Sequence, residues 1–203
     1  MFLSFEGVDG AGKTTQIDLL RARLQHEGCD VVVTREPGGT RLAEAVRALL
    51  LDGRDALAPH AELLLFGAAR AQHVEEIVRP ALTRGAWVLC DRFTDSTLAY
   101  QGGGLGLDEQ FIRTLNTFAT GGMTPDATVL LDIEAREGQQ RRAARNADRI
   151  EGRGVEFLTR VGESFRALAA AEPSRILCFD AAQPAEAIHD EIVKQLQQTN
   201  RWP

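Results

Sequence analysis

Near its N-terminus the chain carries Gly7-Val8-Asp9-Gly10-Ala11-Gly12-Lys13-Thr14, an octapeptide that fits the pattern G-x-x-x-x-G-K-[ST]. Glycines at this spacing let successive backbone N–H groups point into one concavity, which at a helix N-terminus binds polyphosphate. We expect Lys13 to reach the β- and γ-phosphates of a nucleotide and the Thr14 hydroxyl to ligate Mg²⁺. An apolar run at residues 2–6 precedes the motif and an amphipathic stretch at residues 14–27 follows it. This setting favours a nucleoside triphosphate site over a glycine-rich turn without a ligand.

Apolar strands alternate with helical stretches along the rest of the chain. Strands of a parallel sheet covered on both faces read as nearly continuous apolar runs. Further runs of this kind lie at residues 31–34, 87–90, 127–133 and 175–179. Helical spacing is seen at residues 14–27, 41–51 and 62–82, with a break expected at Pro80, and Pro184 is placed to begin a last helix. The pattern predicts a three-layer α/β fold with five strands in one domain.

Composition limits the class of protein. The 203 residues are 44% hydrophobic and 26% charged, which excludes a disordered, coiled-coil or collagen-like chain. No apolar run approaches the ~20 residues of a membrane span, and the N-terminus lacks the features of a signal peptide. The net charge of −6 argues against broad nucleic-acid binding. Cys29, Cys90 and Cys178 have no metal-ligand spacing and indicate a reducing compartment, so we expect the cytoplasm.

Asp91 and Arg92 directly follow the apolar run at 87–90. A carboxylate at the C-terminal end of a parallel strand lies at the edge of the sheet where ligands bind. Asp91 is therefore a candidate to hold the metal ion, directly or through water, and Arg92 a candidate to bind a phosphate. The alternative is a surface ion pair that closes the strand. The phosphate-binding motif upstream favours the functional interpretation.

Five stretches, in this order and spacing, together resemble the thymidylate kinase family, a branch of the P-loop nucleoside monophosphate kinases. They are Phe5-Glu6-Gly7 leading into the P-loop, Thr34-Arg35-Glu36-Pro37-Gly38-Gly39-Thr40, Leu65-Phe66 with Arg70-Ala71-Gln72-His73, Asp91-Arg92-Phe93 with Ser96-Thr97 and Ala99-Tyr100-Gln101-Gly102-Gly103-Gly104, and Asp148-Arg149-Ile150-Glu151. The resemblance implies a P-loop NTPase fold with a five-stranded parallel sheet, a homodimer, and transfer of the γ-phosphoryl group of MgATP to dTMP to give dTDP. We expect a single kinase domain over residues 1–203 with an arginine-rich lid at about 137–153.

The resemblance also assigns residues to the base of dTMP. Phe66 would stack on the thymine ring, although without the resemblance a core phenylalanine on a leucine-rich helix would be the better interpretation. Arg70 lies one helical turn farther on and would donate to the thymine O4. Thr97, with Ser96, would read the polar edge of the base, and Gln101 would support the base or Arg70.

A second group of residues would bind the sugar and phosphate of dTMP. Tyr100 would pack under the deoxyribose and crowd out a 2′-hydroxyl, although an ordinary buried tyrosine fits the sequence as well. Asp9 would face the sugar 3′-hydroxyl and the acceptor phosphate. Arg92 would bind that phosphate, with Arg47 and Arg35 as further ligands.

Arginines crowd into one short segment, at Arg141, Arg142, Arg145, Arg149 and Arg153. The cluster suits a solvated helix face, a nucleic-acid patch, which the acidic total disfavours, or a lid that closes over phosphates. Members of the family carry a catalytic arginine either in the P-loop or in the lid, and here Gly10 stands at the P-loop position. The chain thus resembles the lid-arginine type found mainly in bacteria. We expect Arg149 first, then Arg145 and Arg153, to act on the transferred phosphoryl group.

Three alternative functions would require sequence features that differ from those of a monophosphate kinase. A deoxynucleoside kinase, which shares the P-loop and a Glu-Pro pair, phosphorylates a neutral hydroxyl and needs a base such as Glu36. A monophosphate acceptor is already an anion and needs none, and the full stretches at 35–40 and 99–104 favour it. A guanine-specific switch should carry Asn-Lys-x-Asp, yet neither Lys13 nor Lys194 follows an asparagine. A non-enzymatic adaptor would not need Lys13, Thr14 and Asp91 all intact.

Two segments, at residues 62–82 and 111–119, carry apolar residues on more than one helical face. Such helices suit an interface between two copies of the chain, and they equally suit burial inside a monomer.

Overall fold

A computed structural model describes residues 1–52, 56–141 and 148–203, apart from the side chain of Glu151. In these ranges five strands form one parallel sheet in the order β2-β3-β1-β4-β5. They are β1 Phe2–Glu6, β2 Val31–Arg35, β3 Trp87–Asp91, β4 Ala127–Asp132 and β5 Ile176–Asp180. The predicted parallel sheet is confirmed, and each strand ends within one residue of its expected range.

Helices flank this sheet. They are α1 Lys13–His26, α2 Arg41–Leu51, α3 Pro59–His73, α4 Arg79–Thr83, α5 Thr94–Thr97, α6 Glu109–Thr120, α7 Ala135–Arg141, α8 Val155–Ala171 and α9 Ala185–Gln198. Two π-helical segments, Val74–Val78 and Leu98–Gly104, and a 3₁₀ turn, Glu151–Arg153, complete the regular structure. The helices predicted at 14–27, at 41–51 and after Pro184 correspond to α1, α2 and α9.

The helix predicted over residues 62–82 differs from the expectation in two ways. It begins earlier, at Pro59, a residue favoured in the first turn because its missing N–H has no helical partner there. The α-helical pattern gives way to the π-helical segment Val74–Val78 before Pro80 and resumes at Arg79, so the change lies ahead of the proline. Pro80 has no N–H for an α-helical hydrogen bond, which explains why the regular pattern fails in the preceding turn.

The central strand β1 is buried along its whole length. Leu3 and Phe5 belong to the larger apolar cluster of the core, whereas Phe2 packs with Val88 and Phe93 in a smaller one. The register pairs Phe5 with Asp91 across β1 and β3. The segments that follow these two strands therefore leave the sheet side by side at its carboxyl edge. In the described ranges, no helix is both long and apolar enough to cross a membrane.

Candidate active site

A cavity of about 970 Å³ lies where β1, β2 and β3 end. Most residues proposed from the sequence line it, namely Asp9, Gly10, Gly12, Lys13, Thr14, Arg47, Phe66, Arg70, Asp91, Arg92, Ser96, Thr97, Tyr100 and Gln101. Arg35, Glu36 and Arg141 line it as well. The proposed residues that do not form its wall are Gly7, Val8, Ala11, Arg149 and Arg153. Arg142 and Arg145 lie outside the described residues.

The backbone of the phosphate-binding loop depends on its glycines. Gly7, Gly10 and Gly12 have φ values of 132°, 86° and 93°, in the region that other residues rarely adopt. A Cβ on Gly10 would collide with the carbonyl group of Gly138 in α7. Position 10 therefore has no room for an arginine, which is the physical counterpart of the lid-arginine pattern in the sequence. Gly12 precedes the first turn of α1, so the helix begins at the cavity.

Lys13 is held over this loop by its own backbone. Its Nζ donates to the carbonyl oxygens of Gly7 and Val8, each across 3.2 Å, and lies 4.0 Å from Asp9 Oδ1. The side chain is only 7% exposed. Burial, followed by the nearby charge of Arg92, lowers the pKa of Lys13. The ammonium group thus lines the cavity beside the P-loop, where a phosphate can replace a carbonyl oxygen as its acceptor.

Arg92 joins the P-loop to the segment after β3. Its Nη2 donates to Asp9 Oδ1 across 2.8 Å and to the Tyr100 hydroxyl across 3.1 Å, and its Nη1 donates to the Gly7 carbonyl across 3.0 Å and to Ser96 Oγ across 3.1 Å. The guanidinium also lies over the Tyr100 ring. Its backbone has φ of 72°, an unusual value for a residue with a side chain. Such an outlier, at a cavity wall, is typical of a ligand-binding position.

Asp91 and Thr14 line this cavity and offer oxygen ligands for a metal ion. Asp91 Oδ1 is buried and has no hydrogen-bond partner among the described residues. Thr14 is exposed at the cavity wall in the first turn of α1. Carboxylate and hydroxyl oxygens are the ligands that Mg²⁺ prefers, together with water and substrate phosphates. The donor set therefore fits Mg²⁺, and no larger group of His, Cys, Asp or Glu gathers for a metal in the ranges described.

Phe66 and Arg70 lie one turn apart on α3 at the other end of the cavity. Arg70 is 2% exposed and makes three hydrogen bonds, to Glu36 Oε2 across 2.7 Å, to Asn116 Oδ1 across 2.6 Å and to the Phe93 carbonyl across 3.0 Å. A guanidinium has five N–H groups, so two have no hydrogen bond within the described residues and could bind a ligand.

Thr97 and Gln101 complete this end. Thr97 Oγ1 is buried without a partner among the described residues, and buried polar groups are normally satisfied. This hydroxyl thus suits the polar edge of a bound base. The Gln101 amide nitrogen donates to Glu62 Oε1 across 2.9 Å, so its carbonyl oxygen is the group left for a ligand or for Arg70.

Both carboxylate oxygens of Glu36 contact other side chains of the protein. One carboxylate oxygen accepts from Arg70 and the other contacts His73 Nδ1 across 2.9 Å, while His73 Nε2 lies 2.7 Å from the Thr34 hydroxyl. A residue tied in this way from both oxygens is poorly suited to take a proton from a substrate hydroxyl. The geometry disfavours the role of general base that a deoxynucleoside kinase would assign to Glu36.

Two arginines of the expected lid, Arg149 and Arg153, do not line the cavity. Arg149 donates from Nη2 to Glu62 Oε2 across 2.6 Å and from Nε to the Leu50 carbonyl across 2.8 Å. Arg153 donates to the same carboxylate and lies over the Phe157 ring. Burial alone would raise the pKa of Glu62, but the hydrogen bonds from Arg153, Gln101 and Arg149 outweigh it and lower that pKa. The expectation that Arg149 and Arg153 face the phosphates is not met in this conformation.

Two other arginines reach the cavity wall. Arg141 donates to the Ala181 carbonyl across 2.7 Å and pairs with Glu137. Arg47 donates to the Pro37 carbonyl across 2.8 Å. Neither is fully enclosed, so both remain near enough to water to turn toward an anion.

Several residues of the site were missed in the sequence. Glu62 has no predicted role, although a glutamate one turn before Phe66 on an otherwise apolar helical stretch is a signal. Asn116 lies in α6, 46 positions from the Arg70 that it contacts, and no local pattern marks it. Glu6 ends β1 beneath the site, where its charge is unusual in a buried strand.

Known proteins are similar to this chain along most of its length. The sequence model described as thymidylate kinase matches residues 5–192. The chain is 53% identical to a thymidylate kinase of Desulfovibrio desulfuricans over 197 residues, which cover 93% of this chain and 91% of the relative. It is 50% identical to that of Pelotomaculum thermopropionicum, over 95% and 91% of the two chains. The crystal structure of thymidylate kinase from Ehrlichia chaffeensis superposes with a TM-score of 0.80 at 38% identity, covering 97% of this chain and 98% of that one.

Proposed function

Given that the chain belongs to the thymidylate kinase family, we propose that the cavity at the carboxyl edge of its sheet is where dTMP and the Mg²⁺ complex of ATP meet. The protein is a phosphotransferase that phosphorylates dTMP with ATP as donor. The observation that carries the assignment of the site is the position of Arg92. Its guanidinium bridges the P-loop and the segment that bears Ser96 and Tyr100, so it stands between the donor and acceptor halves.

The donor phosphates lie on the P-loop in this proposal. Backbone N–H groups at the start of α1 and the ammonium group of Lys13 face them. Lys13 exchanges its bonds to the Gly7 and Val8 carbonyls for bonds to phosphate oxygens. The buried position of Lys13 strengthens this attraction, because the charge is screened less than in water.

The acceptor is bound as an anion and needs no general base. Arg92 receives the phosphate of dTMP, with Arg47 as a second cation at the same wall. Asp9 holds Arg92 in place and faces the sugar 3′-hydroxyl. Catalysis then consists of positioning and of neutralising charge on the transferred group, which is sufficient for phosphoryl transfer.

Asp91 and Thr14 would hold Mg²⁺ in this site. The supporting observation is the buried Oδ1 of Asp91, which has no partner within the described ranges, together with the exposed Thr14 at the cavity wall. When bound, the ion would neutralise negative charge on the phosphate oxygens around the transferred phosphoryl group.

The base of dTMP occupies the end formed by α3 and the segment after β3. Phe66 offers a ring for stacking, Arg70 offers N–H groups to an acceptor oxygen, and Thr97 offers a hydroxyl that has no partner in the described part of the chain. Tyr100 packs under the deoxyribose, and burial raises its pKa, which keeps the hydroxyl protonated. A cytosine presents a donor where thymine presents O4, so Arg70 favours thymine.

We propose that the protein acts as a homodimer through α3 and α6. These helices pack closely, since a Cβ on Gly67 would lie 3.3 Å from Leu115. Leu64, Phe111 and Phe118 are nevertheless 53%, 51% and 85% exposed on the same pair of helices. Phe111 and Phe118 are seven residues apart and so share one face of α6. Large apolar side chains grouped in this way mark an interface, and a second copy of this surface is complementary to it.

Three further points belong to the proposal. The kinase is a single domain over residues 1–203. The lid comprises residues 137–153, of which 142–147 lie outside the described residues. The three cysteines are free, which fits a reducing compartment, and the cytoplasm is the proposed location.

An acceptor and metal panel tests this proposal. The enzyme is supplied with ATP and one acceptor, dTMP, dUMP or dGMP, with Mg²⁺ present or removed by chelation. We expect dTDP in the presence of Mg²⁺, little product from dGMP, and no turnover after chelation. Equal turnover of dTMP and dGMP would contradict the assigned base site, and metal-independent turnover would contradict the roles of Asp91 and Thr14.

A further inference from the structure

Glu6 is a buried carboxyl group that takes no part in the chemistry described above. It is the last residue of β1, is fully enclosed, and does not reach the cavity wall. Its Oε1 accepts from the backbone N–H of Phe93 across 2.7 Å, and its Oε2 accepts from the Ser96 hydroxyl across 2.5 Å. Both partners belong to the segment that follows β3.

These contacts enclose the strained residue Arg92 from two sides. Its own backbone N–H donates to the Phe5 carbonyl across 3.0 Å, and the next N–H along the chain donates to Glu6. The end of β1 thus holds the backbone before and after the residue with φ of 72°. A sparsely populated conformation of this kind persists only where the surroundings hold it.

The same carboxyl group also supports the side chain of Arg92. Ser96 Oγ, which donates to Glu6 Oε2, accepts from Arg92 Nη1 across 3.1 Å. Glu6 therefore fixes both the backbone of Arg92 and one of the acceptors that orient its guanidinium. Gly7, the residue after Glu6, accepts from the same Nη1 and from Lys13, which ties this arrangement to the donor site.

We propose that Glu6 is a positioning residue that holds Arg92 in the geometry required to bind the phosphate of the acceptor nucleotide. The inference rests on the proposed role of Arg92 as ligand of that phosphate. If the proposal is right, the function of Glu6 depends on a side chain long enough to hydrogen-bond both partners, and not on its negative charge. Burial, followed by the charge of Asp95, raises the pKa of Glu6 to about 8, which agrees with a group that works without its negative charge at neutral pH.

Two substitutions of Glu6 test the length of its side chain and its charge separately. Glu6→Gln keeps the length and an acceptor for Phe93 N–H, and its amide can donate to Ser96 Oγ, but it has no charge. Glu6→Asp keeps the charge but is one methylene shorter, so it cannot contact both partners at once. Ser4→Ala is the matched control, because Ser4 lies two residues earlier on β1 and its hydroxyl is equally buried, 2.8 Å from that of Thr128.

The experiment measures KM for dTMP, KM for ATP, kcat and thermal stability of each variant. We expect Glu6→Asp to raise KM for dTMP by about tenfold, the order expected when one hydrogen bond to a charged group is lost, with KM for ATP little changed. Glu6→Gln should retain the KM for dTMP of the wild type. Ser4→Ala should lower stability and leave both KM values as they are.

The inference is overturned if Glu6→Asp keeps a normal KM for dTMP, or if Glu6→Gln loses affinity for dTMP while Glu6→Asp retains it, since charge would then be decisive. Should Glu6→Asp not fold, Glu6→Met, which keeps the size and removes both acceptors, replaces it with the same expectation. Failure of the proposed function is a separate result, because it would appear as an absence of dTMP turnover in the wild type.

Discussion

Arg149 donates to the Glu62 carboxylate across 2.6 Å, and this bond holds Arg149, which lies in the proposed lid, against α3. Arg153 donates to the same carboxylate. Glu62 also accepts from Gln101, a residue of the cavity wall. One buried carboxylate thus connects the end of the lid with the acceptor side of the site.

A double-mutant cycle tests what this ion pair does. If Arg149 positions the lid through Glu62, Arg149→Ala and Glu62→Gln should each lower kcat by about tenfold, and the double variant should be no worse than either single one. Arg113→Ala is the control, since Arg113 pairs with Glu109 on the exposed face of α6. Direct action of Arg149 on the phosphoryl group would instead lower kcat by up to ~10³ in Arg149→Ala alone.

Lys13→Ala should leave the fold intact and reduce turnover. Among the described residues, its ammonium group bonds to backbone oxygens of the P-loop and approaches Asp9, so the core loses little. Loss of one electrostatic contact to the transferred group typically costs ~10²–10³ in kcat. Steady-state kinetics with a melting curve measures both effects, and Lys194→Ala, at an exposed position of α9, is the control. Near-normal turnover in a folded Lys13→Ala protein would count against this donor site.

Phe66→Ala should weaken the binding of dTMP more than that of ATP. Phe66 lines the acceptor end of the cavity and packs at the margin of the core. Stacking on a base contributes about 1–3 kcal/mol. Calorimetric titration with each nucleotide gives the two affinities, and equal weakening of both would indicate a collapsed core.

The strands and the P-loop were predictable because their signals are local. A buried parallel strand is a continuous apolar run, and the G-x-x-x-x-G-K-[ST] spacing itself dictates a loop before a helix. The partners of Arg149 and Arg70 were not predictable in this way. Glu62 and Arg149 are 87 positions apart, and their pairing depends on how α3 packs beside the end of the lid. Arg70 was predictable in part. Its place beside Phe66 follows from helical spacing, but its bonds to Glu36 and Asn116 depend on how three separate segments of the chain pack together.

The free energy of unfolding should depend on pH because Glu6 titrates at different pH values in the folded and unfolded states. Burial and Asp95 raise its pKa from the ordinary 4.5 to about 8, so between these values the folded state binds a proton that the unfolded state has released. Stability therefore falls as pH rises through this window, by up to about 1.4 kcal/mol per pH unit. Denaturant unfolding of the wild type and Glu6→Gln from pH 5 to 8.5 measures the difference. A difference in unfolding free energy that stays constant with pH would refute the shifted pKa.

Phe118→Ser should weaken the proposed dimer. The side chain is 85% exposed on α6, so the monomer loses little packing when the ring is removed. Sedimentation at a series of concentrations should show a shift toward monomer relative to the wild type. Val33→Ser, at an exposed apolar position on the edge strand β2, should leave the equilibrium unchanged. A wild type that stays monomeric at high concentration would remove the basis for the interface.

The central claim is that this cavity phosphorylates a nucleotide that already carries a phosphate. The most direct measurement is a competition in which the enzyme receives ATP labelled in the γ-phosphate, with Mg²⁺ and equal concentrations of dTMP and thymidine. Because we propose that Arg92 binds the phosphate of the acceptor, and because Glu36 is tied to Arg70 and His73, the label should appear in dTDP alone at early times. Label that enters dTMP from thymidine as fast as it enters dTDP would contradict the account.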